Sequence, residues 1–142
     1  MRWIVLTVLV VFVAAIFAAP LLAEASSVAA VPLYAAFSWV CHQRPQRTWL
    51  LGAYPLAVCV RCLGIYLGAL AGAIAGLRFF RRLFFAAMAL LAADWLLEAA
   101  GSFLVPSGVR FATGLLLGFF LAPALWGNHY EPPLVLNLDE SR

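Results

Sequence analysis

Residues 55–77 have the sequence PLAVCVRCLGIYLGALAGAIAGL, and this stretch decides the fold. Its only charged residue is Arg61, and the others are almost all apolar or small. A run of about 20 such residues is long enough to cross a hydrocarbon core about 30 Å thick as an α-helix. The stretch therefore predicts a membrane-spanning helix.

The composition of the whole chain agrees with a membrane location. Of its 142 residues, 66% are hydrophobic and 11% are charged, and the mean hydropathy is +1.02. Soluble domains are about 45–50% apolar and about 25% charged. A water-soluble fold is therefore excluded, and the short chain predicts one integral membrane domain over residues 1–142. The basic residues form no exposed basic face, which gives no support for nucleic-acid binding.

We expect an all-α fold, namely a polytopic membrane helix bundle with about four transmembrane helices. The predicted spans are residues 3–23, 55–77, 83–105 and 109–126. Residues 28–40 are apolar but are interrupted by Pro32 and are too short to cross, so they predict a re-entrant or interfacial segment. Residues 41–54 predict a polar loop packed on the bundle. Residues 127–142 predict a short polar tail, in which His129 has no specific role.

The first apolar run allows two alternatives. Ala23-Glu24-Ala25 fits the small-x-small pattern of a signal-peptide cleavage site. The run from Trp3 to Ala23 exceeds the apolar region of about 7–15 residues that such peptides have, which favours a retained helix.

The distribution of arginines predicts the orientation of the bundle. A basic cluster separates the second and third predicted spans: Arg78, Arg81 and Arg82. The positive-inside rule places this cluster, and Arg2 before the first span, in the cytoplasm. We therefore expect a multi-pass protein of the cell (inner) membrane with both termini cytoplasmic and Cys41 outside. Arg44, Arg47 and Arg110 then lie on the extracytoplasmic side, where we interpret Arg44 and Arg47 as contacts to an anion or lipid.

Glycines recur at every fourth residue in two of the predicted spans. They are Gly64, Gly68, Gly72 and Gly76 in the second span, and Gly114 and Gly118 in the fourth. This spacing lets helix backbones approach closely, so it predicts helix packing. The same stripe in the second span is also compatible with a homodimer, because the spacing does not distinguish internal from intermolecular contact.

Charged residues inside the spans predict a buried ion-pair network. Arg61, Asp94 and Glu98 each cost about 2.5–3.5 kcal/mol to insert in a bilayer. Asp94 and Glu98 are four residues apart and share a helix face. Arg61 and Glu98 fall at the same depth, about 10 Å below the extracytoplasmic surface, and Arg110 lies close to them. The network either fixes the packing of the bundle or supplies catalytic residues.

The cysteines predict a metal site. Cys59 and Cys62 form a C-x2-C pair, and the loop holding Cys41 and His42 is tethered near the top of the same helix. Three thiolates and an imidazole can form a tetrahedral shell around zinc, and a thiolate-rich set also suits copper(I).

Two other interpretations of the three cysteines stay open. In an oxidising compartment Cys59 and Cys62 can form a redox disulfide, with Cys41 as the partner thiol. The cysteines can also be inert small residues, although all three lie at the same end of the predicted bundle.

The two cysteine motifs resemble the signature of a family of small predicted membrane proteins, the domain-of-unknown-function 2085 family. They are CHQRPQRT at residues 41–48 and CVRCLGIYLG at residues 59–68, and RFATGLLLG at residues 110–118 follows the same pattern. The resemblance covers residues 37–120. It implies that Cys41, His42, Cys59, Arg61, Cys62, Asp94 and Arg110 belong to one site, but it implies no activity. Where the family has Asp-Gly and then Gln, this chain has Asp94-Trp95 and then Glu98.

Three functions are compatible with these residues. The leading hypothesis is a zinc-binding membrane protein. If its metal is catalytic, we expect Asp94 or Glu98 to act as general acid or base, while Arg44, Arg61 and Arg110 hold an anionic group such as a lipid phosphate. The second is a metal or ion transport component in which Asp94 passes an ion or a proton. The third is a membrane thiol–disulfide protein or sensor.

Overall fold

The computed structural model describes residues 2–76, 80–101 and 105–125, and these residues are predominantly helical. The helices are α1 (Arg2–Ala25), α2 (Ser27–Ser38), α3 (Val60–Ala75), α4 (Arg81–Ala99) and α5 (Ser107–Leu125). A 3-10 turn, Pro45–Arg47, and a two-stranded antiparallel hairpin, β1 (Leu50–Leu51) with β2 (Tyr54–Pro55), lie between α2 and α3. The expected helical fold is confirmed. Arg78, His129 and the predicted tail lie outside the described residues.

α1 and α2 form a helical pair separated by a single extended residue. Ser26 has φ −163° and ψ 115°, which interrupts the helix and lets α2 pack against α1. The rings of Phe12 and Phe37 meet edge to face across this pair, with centroids 4.9 Å apart. Within the described residues, Trp3–Ala25 is the one helix long and apolar enough to cross a membrane by length and composition.

Two of the remaining helices are shorter than the predicted spans. α3 begins at Val60 rather than at residue 55, because Tyr54 and Pro55 pair with β1. It ends where Gly76 adopts the left-handed conformation, with φ 62°. At 1.5 Å per residue the 16 residues of α3 extend about 24 Å. α4 ends at Ala99, followed by Gly101 with φ 66°, and not at residue 105.

The directions of the helices alternate through the bundle. α1 runs antiparallel to α3, because Leu6 and Leu9 pack near Ala69 and Ala73 while Ile16 belongs to the cluster around Leu63. Gly64 and Gly68 of α3 face Phe111 and Leu115 of α5, so those two helices are parallel. α4 is antiparallel to both, since Asp94 and Glu98 near its end reach Arg61 and Arg110 near the starts of α3 and α5. The loop after α2 and the starts of α3 and α5 therefore lie at one end.

α3 and α5 pack backbone against backbone along their length. A Cβ atom added at Gly64, Gly68 or Gly72 would overlap the carbonyl oxygen of Phe111, Leu115 or Phe119, respectively. The contact is reciprocal, because Cβ atoms at Gly114 and Gly118 would overlap the carbonyl oxygens of Arg61 and Ile65. Cα–H groups directed at carbonyl oxygens in this way recur at close helix interfaces.

The glycine stripe is thus used for internal packing. Gly64, Gly68 and Gly72 are buried against α5, so a second chain cannot reach them without displacing that helix. Gly76 does not belong to this contact, because it is the residue that ends α3. The alternative of a homodimer through this stripe gains no support.

Substitution of Gly68 by Ala is expected to destabilise the bundle. The added methyl group overlaps the backbone of α5, which cannot move aside as a flexible side chain can. Overpacking of this kind costs about 1–3 kcal/mol. Thermal unfolding in detergent should show a lower Tm for Gly68→Ala. Gly108→Ala is the matched control, because a Cβ there meets open space, and an equal loss in both variants would contradict the packing argument.

Candidate metal and ion-pair site

A polar clamp holds the loop between α2 and α3 in place. The side-chain Nε2 of Gln43 donates hydrogen bonds of 2.8 Å to the carbonyl oxygens of both Tyr34 and Ala57. The Tyr34 hydroxyl donates in turn to the carbonyl oxygen of Pro55. Gln43 has φ 46°, a left-handed conformation that is uncommon for a residue with a side chain. The clamp brings the residues flanking Cys41 against the residues preceding α3.

The three cysteine thiols meet beside this clamp. Cys59 is the N-cap residue of α3, Cys62 lies in its first turn, and Cys41 is buried shortly after the end of α2. All three are free, and their Sγ atoms lie within 4.8 Å of one another. A tetrahedral zinc with Zn–S bonds of about 2.3 Å holds its sulfurs about 3.8 Å apart, so the cluster needs a contraction of about 1 Å or less.

The surroundings favour the thiolate form of Cys41. Its pKa lies far below the ordinary value because the thiols of Cys59 and Cys62 donate hydrogen bonds to its Sγ, with a contribution from the backbone N–H of Cys59. That N–H lies 3.1 Å from the sulfur. The thiolate is the form that binds metals and attacks disulfides. Cys41 is therefore the cysteine of the cluster best suited to either reaction.

His42 does not join the thiols in this arrangement. It is exposed and lines the same cavity as the three cysteines, but the group of possible metal ligands found among the described residues consists of Cys41, Cys59 and Cys62. Residues 41 and 42 follow α2 in a segment without regular structure, in which Cys41 is buried and His42 is exposed. Three of the four predicted metal ligands are therefore together.

The predicted ion-pair network forms next to the cluster. Arg61 donates from Nε and Nη2 to Oδ2 of Asp94, at 3.0 and 2.7 Å, and Nη2 also lies 3.2 Å from Oε2 of Glu98. The second oxygen of Glu98 pairs with Nη2 of Arg110 at 3.2 Å and with Nη2 of Arg47 at 2.5 Å. Arg47 was predicted as an anion or lipid contact, and the structure adds it to the network.

Thr113 is a further polar member of this network, and it was not among the predicted site residues. The Thr113 hydroxyl lies 3.3 Å from Oδ2 of Asp94 and 3.1 Å from the carbonyl oxygen of Arg110. Its place in the stretch at residues 110–118, one turn after Arg110, is the signal that could have identified it. Gln43 is likewise part of the first cysteine motif and was not selected as a site residue.

A cavity of about 420 Å³ lies between the thiols and the arginines. The three cysteines line one part of it, and the charged residues on its wall are Arg44, Arg47, Arg61 and Arg110. Trp95 of α4 also borders the cavity. Two buried polar atoms have no hydrogen-bond partner in the described part of the chain, namely Oδ1 of Asp94 and Nε of Arg110.

The family described as predicted membrane protein (DUF2085) matches residues 41–123, which include the cysteines and the whole ion-pair network. The chain belongs to this family. The resemblance expected from the cysteine motifs is thus confirmed, and the protein is a membrane protein that resides in a lipid bilayer. α1 and α2 both precede the matched region.

Two archaeal relatives are similar to parts of the chain. An uncharacterised protein of Methanocaldococcus jannaschii is 40% identical over 77 residues, which cover 50% of this chain and 49% of that protein. An uncharacterised protein of Methanothermobacter thermautotrophicus is 48% identical over 33 residues, covering 23% of this chain and 30% of the relative. The chain therefore spans about half or less of the length of these relatives. No solved structure matches it.

Replacement of Arg61 by Leu is expected to destabilise the bundle strongly. It leaves the buried carboxylate of Asp94 without its cation, and loss of one partner of a buried pair costs about 3–5 kcal/mol. Thermal unfolding in detergent should show a large fall in Tm. The control is Arg82→Leu on the exposed side of α4, which should change Tm little. The double variant Arg61→Leu/Asp94→Leu should recover part of the loss, and no recovery would argue against the pair as its cause.

Proposed function

We propose that this protein is a multi-pass membrane protein that binds a transition metal ion, zinc in the first instance, through Cys41, Cys59 and Cys62. The observation behind the proposal is the convergence of three free thiols, from two segments of the chain, within 4.8 Å. Thiolates are ligands that zinc and copper(I) prefer.

The local chemistry supports a metal rather than an accidental cluster. A backbone N–H donates to the sulfur of Cys41, and hydrogen bonds of this kind orient and tune metal ligands. Both C-x2-C residues lie at the start of α3, where the helix dipole favours negative charge. Three thiolates leave the fourth tetrahedral position for water, as in catalytic zinc sites, or for His42, whose inward rotation would close a structural shell.

The network limits which carboxylate can act in catalysis. Both oxygens of Glu98 are paired with arginines, which disfavours a role in proton transfer. Asp94 has one oxygen bound to Arg61 and one, Oδ1, without a partner in the described chain. Asp94 is therefore the better candidate for an acid or base, and Glu98 is better suited to hold Arg47, Arg61 and Arg110 in place.

We further propose that α1, α3, α4 and α5 cross the membrane and that α2 lies at its surface. α4 supports this, because its buried residues are Ala87 and Asp94 while large apolar residues such as Phe85 and Leu90 are exposed. Exposed apolar side chains around a buried charge are typical of a helix that faces lipid. Arg81 and Arg82 begin α4 at the end opposite the site, and the positive-inside rule then favours an extracytoplasmic position for the thiols in the cell (inner) membrane.

A thiol–disulfide protein is the second candidate, and the same three free thiols favour it. The Cys41 thiolate lies close to Cys59 and Cys62, so exchange with an external disulfide, which is reduced to two thiols, can join Cys41 to either residue once the sulfurs approach. The two candidates differ in a simple property, because bound metal blocks alkylation whereas a redox pair responds to the thiol–disulfide buffer.

The proposed orientation predicts the outcome of reporter fusions. Green fluorescent protein fused after residue 142 should fluoresce, because the C-terminus is cytoplasmic. Alkaline phosphatase fused after Gly101, beyond α4, should be active because that end is extracytoplasmic, and the same enzyme fused after Gly76 should be inactive. The reverse pattern at all three positions would invert the orientation and place the thiols in the cytoplasm.

The metal proposal predicts near-stoichiometric zinc in protein purified without a His tag. Elemental mass spectrometry should show zinc in the wild type and its loss in Cys41→Ser, Cys59→Ser and Cys62→Ser. Ser38→Ala is the control, because its hydroxyl is exposed and donates a hydrogen bond to the carbonyl oxygen of Ala35 in its own helix. Retention of zinc in His42→Ala indicates an open fourth position, and its loss indicates a closed shell. Metal-free wild type with alkylation that depends on the redox buffer would instead support the second candidate.

A further inference from the structure

The wall of the cavity carries more positive than negative charge. Four guanidinium groups line it, from Arg44, Arg47, Arg61 and Arg110, and the network supplies two carboxylates. Arg61 and Arg110 are balanced by Asp94 and Glu98 in the interior. The two extra cations lie nearer the mouth, where Arg47 shares Glu98 and where Arg44 is exposed and has no ion pair among the described residues.

Binding of a metal ion to the three thiolates does not remove this excess of positive charge. Three thiolates with one divalent metal ion contribute a single net negative charge, whereas the arginines exceed the carboxylates by two. The cavity therefore stays attractive to anions in both forms, and its partly buried position limits screening by salt.

Arg110, which lines the same cavity, carries a buried nitrogen without a hydrogen-bond partner among the described residues. The residue is 9% exposed, and its Nε is buried without a hydrogen-bond partner in the described chain. Its Nη2 is held by Glu98, so the guanidinium is fixed rather than free to turn toward water. A buried donor without a partner is strongly unfavourable unless a ligand satisfies it. Arg110 is thus held in a fixed position at the wall of the cavity.

We propose that the cavity binds a tetrahedral oxyanion of the phosphate class, held by Arg44 and Arg110 and independent of the metal. The planar fork of a guanidinium matches two phosphate oxygens at once. The cavity of about 420 Å³ exceeds what inorganic phosphate fills, so it accommodates a phosphate attached to a larger group. Trp95 borders the cavity and is 55% exposed, as is common for tryptophan near lipid headgroups.

Phosphate binding can be measured on the full chain in nanodiscs of uncharged glycolipid. The first probe is inorganic phosphate, titrated by calorimetry at an ionic strength held constant with chloride. The second is phosphatidic acid mixed into the nanodisc, with retained lipid counted by native mass spectrometry. Wild type and the control Arg82→Gln, whose arginine lies outside the cavity, should bind at least one of the two probes.

Arg44→Gln and Arg110→Gln should weaken that binding about tenfold or more, because each removes a charge-assisted hydrogen bond. Arg44→Lys should weaken it less, since the charge remains while the fork is lost. Arg44 is exposed and outside the ion pairs, so its variants test the site even if Arg110→Gln does not fold. Binding of inorganic phosphate indicates a soluble ligand, and binding of phosphatidic acid alone indicates a lipid headgroup. Both support the proposal.

Three results would overturn the proposal. The first is that wild type binds neither probe. The second is that Arg44→Gln binds as wild type does. The third is that chelation of the metal abolishes binding, since the ligand would then be held by the metal and not by the arginines. Absence of zinc with retained phosphate binding would refute the metal site alone.

Discussion

The backbone contact between α3 and α5 is the constraint on which the rest of the structure depends. Because glycines replace side chains on both helices, carbonyl oxygens approach Cα atoms directly, and the two helices are fixed in depth relative to each other. This contact places Arg61 and Arg110, one near the start of each helix, at one level. A displacement of one helix along the other would prevent Arg61 and Arg110 from reaching the carboxylates of α4 at the same level.

The ion pairs then attach α4, which has few other buried side chains. Ala87 and Asp94 are its buried residues, so the helix is held largely by its charges and not by an apolar face. In a bilayer an apolar helix face gains little free energy when it packs against another helix, because lipid is as apolar as leucine. The charges thus have a structural role even if Asp94 also acts chemically. Glu98 combines the two roles, since it joins the loop residue Arg47 to α3 and α5.

The thiol cluster depends on a second, smaller set of contacts. Cys41 lies shortly after the end of α2, whereas Cys59 and Cys62 come from the start of α3, and the segment between them is held by Gln43 and by a short hairpin. The site therefore lies where two separate sets of helix contacts meet. One is the α3–α5 contact, and the other is the pair of α1 and α2 that supports Cys41.

Much of the site could be predicted, because certain residue types are unfavourable in a membrane without a partner. In an apolar chain each buried charge needs a partner of opposite charge, which predicted that Arg61 pairs with Asp94 and Glu98. The rise of 1.5 Å per residue along a helix predicted that these residues lie at similar depths. The membrane class followed from composition, and the convergence of three cysteines followed from the spacing of two motifs.

The sequence by itself therefore determined the helical membrane class, the polar end of the bundle and the types of residue gathered there, since these depend on composition and on local periodicity. The tertiary structure alone decided that His42 lies apart from the thiols, that Arg47 joins Glu98, that Gln43 clamps the loop and that the glycine stripe is used internally. Each of these outcomes depends on where a side chain points relative to a distant segment, and that direction is set by packing between helices rather than by neighbours in the chain.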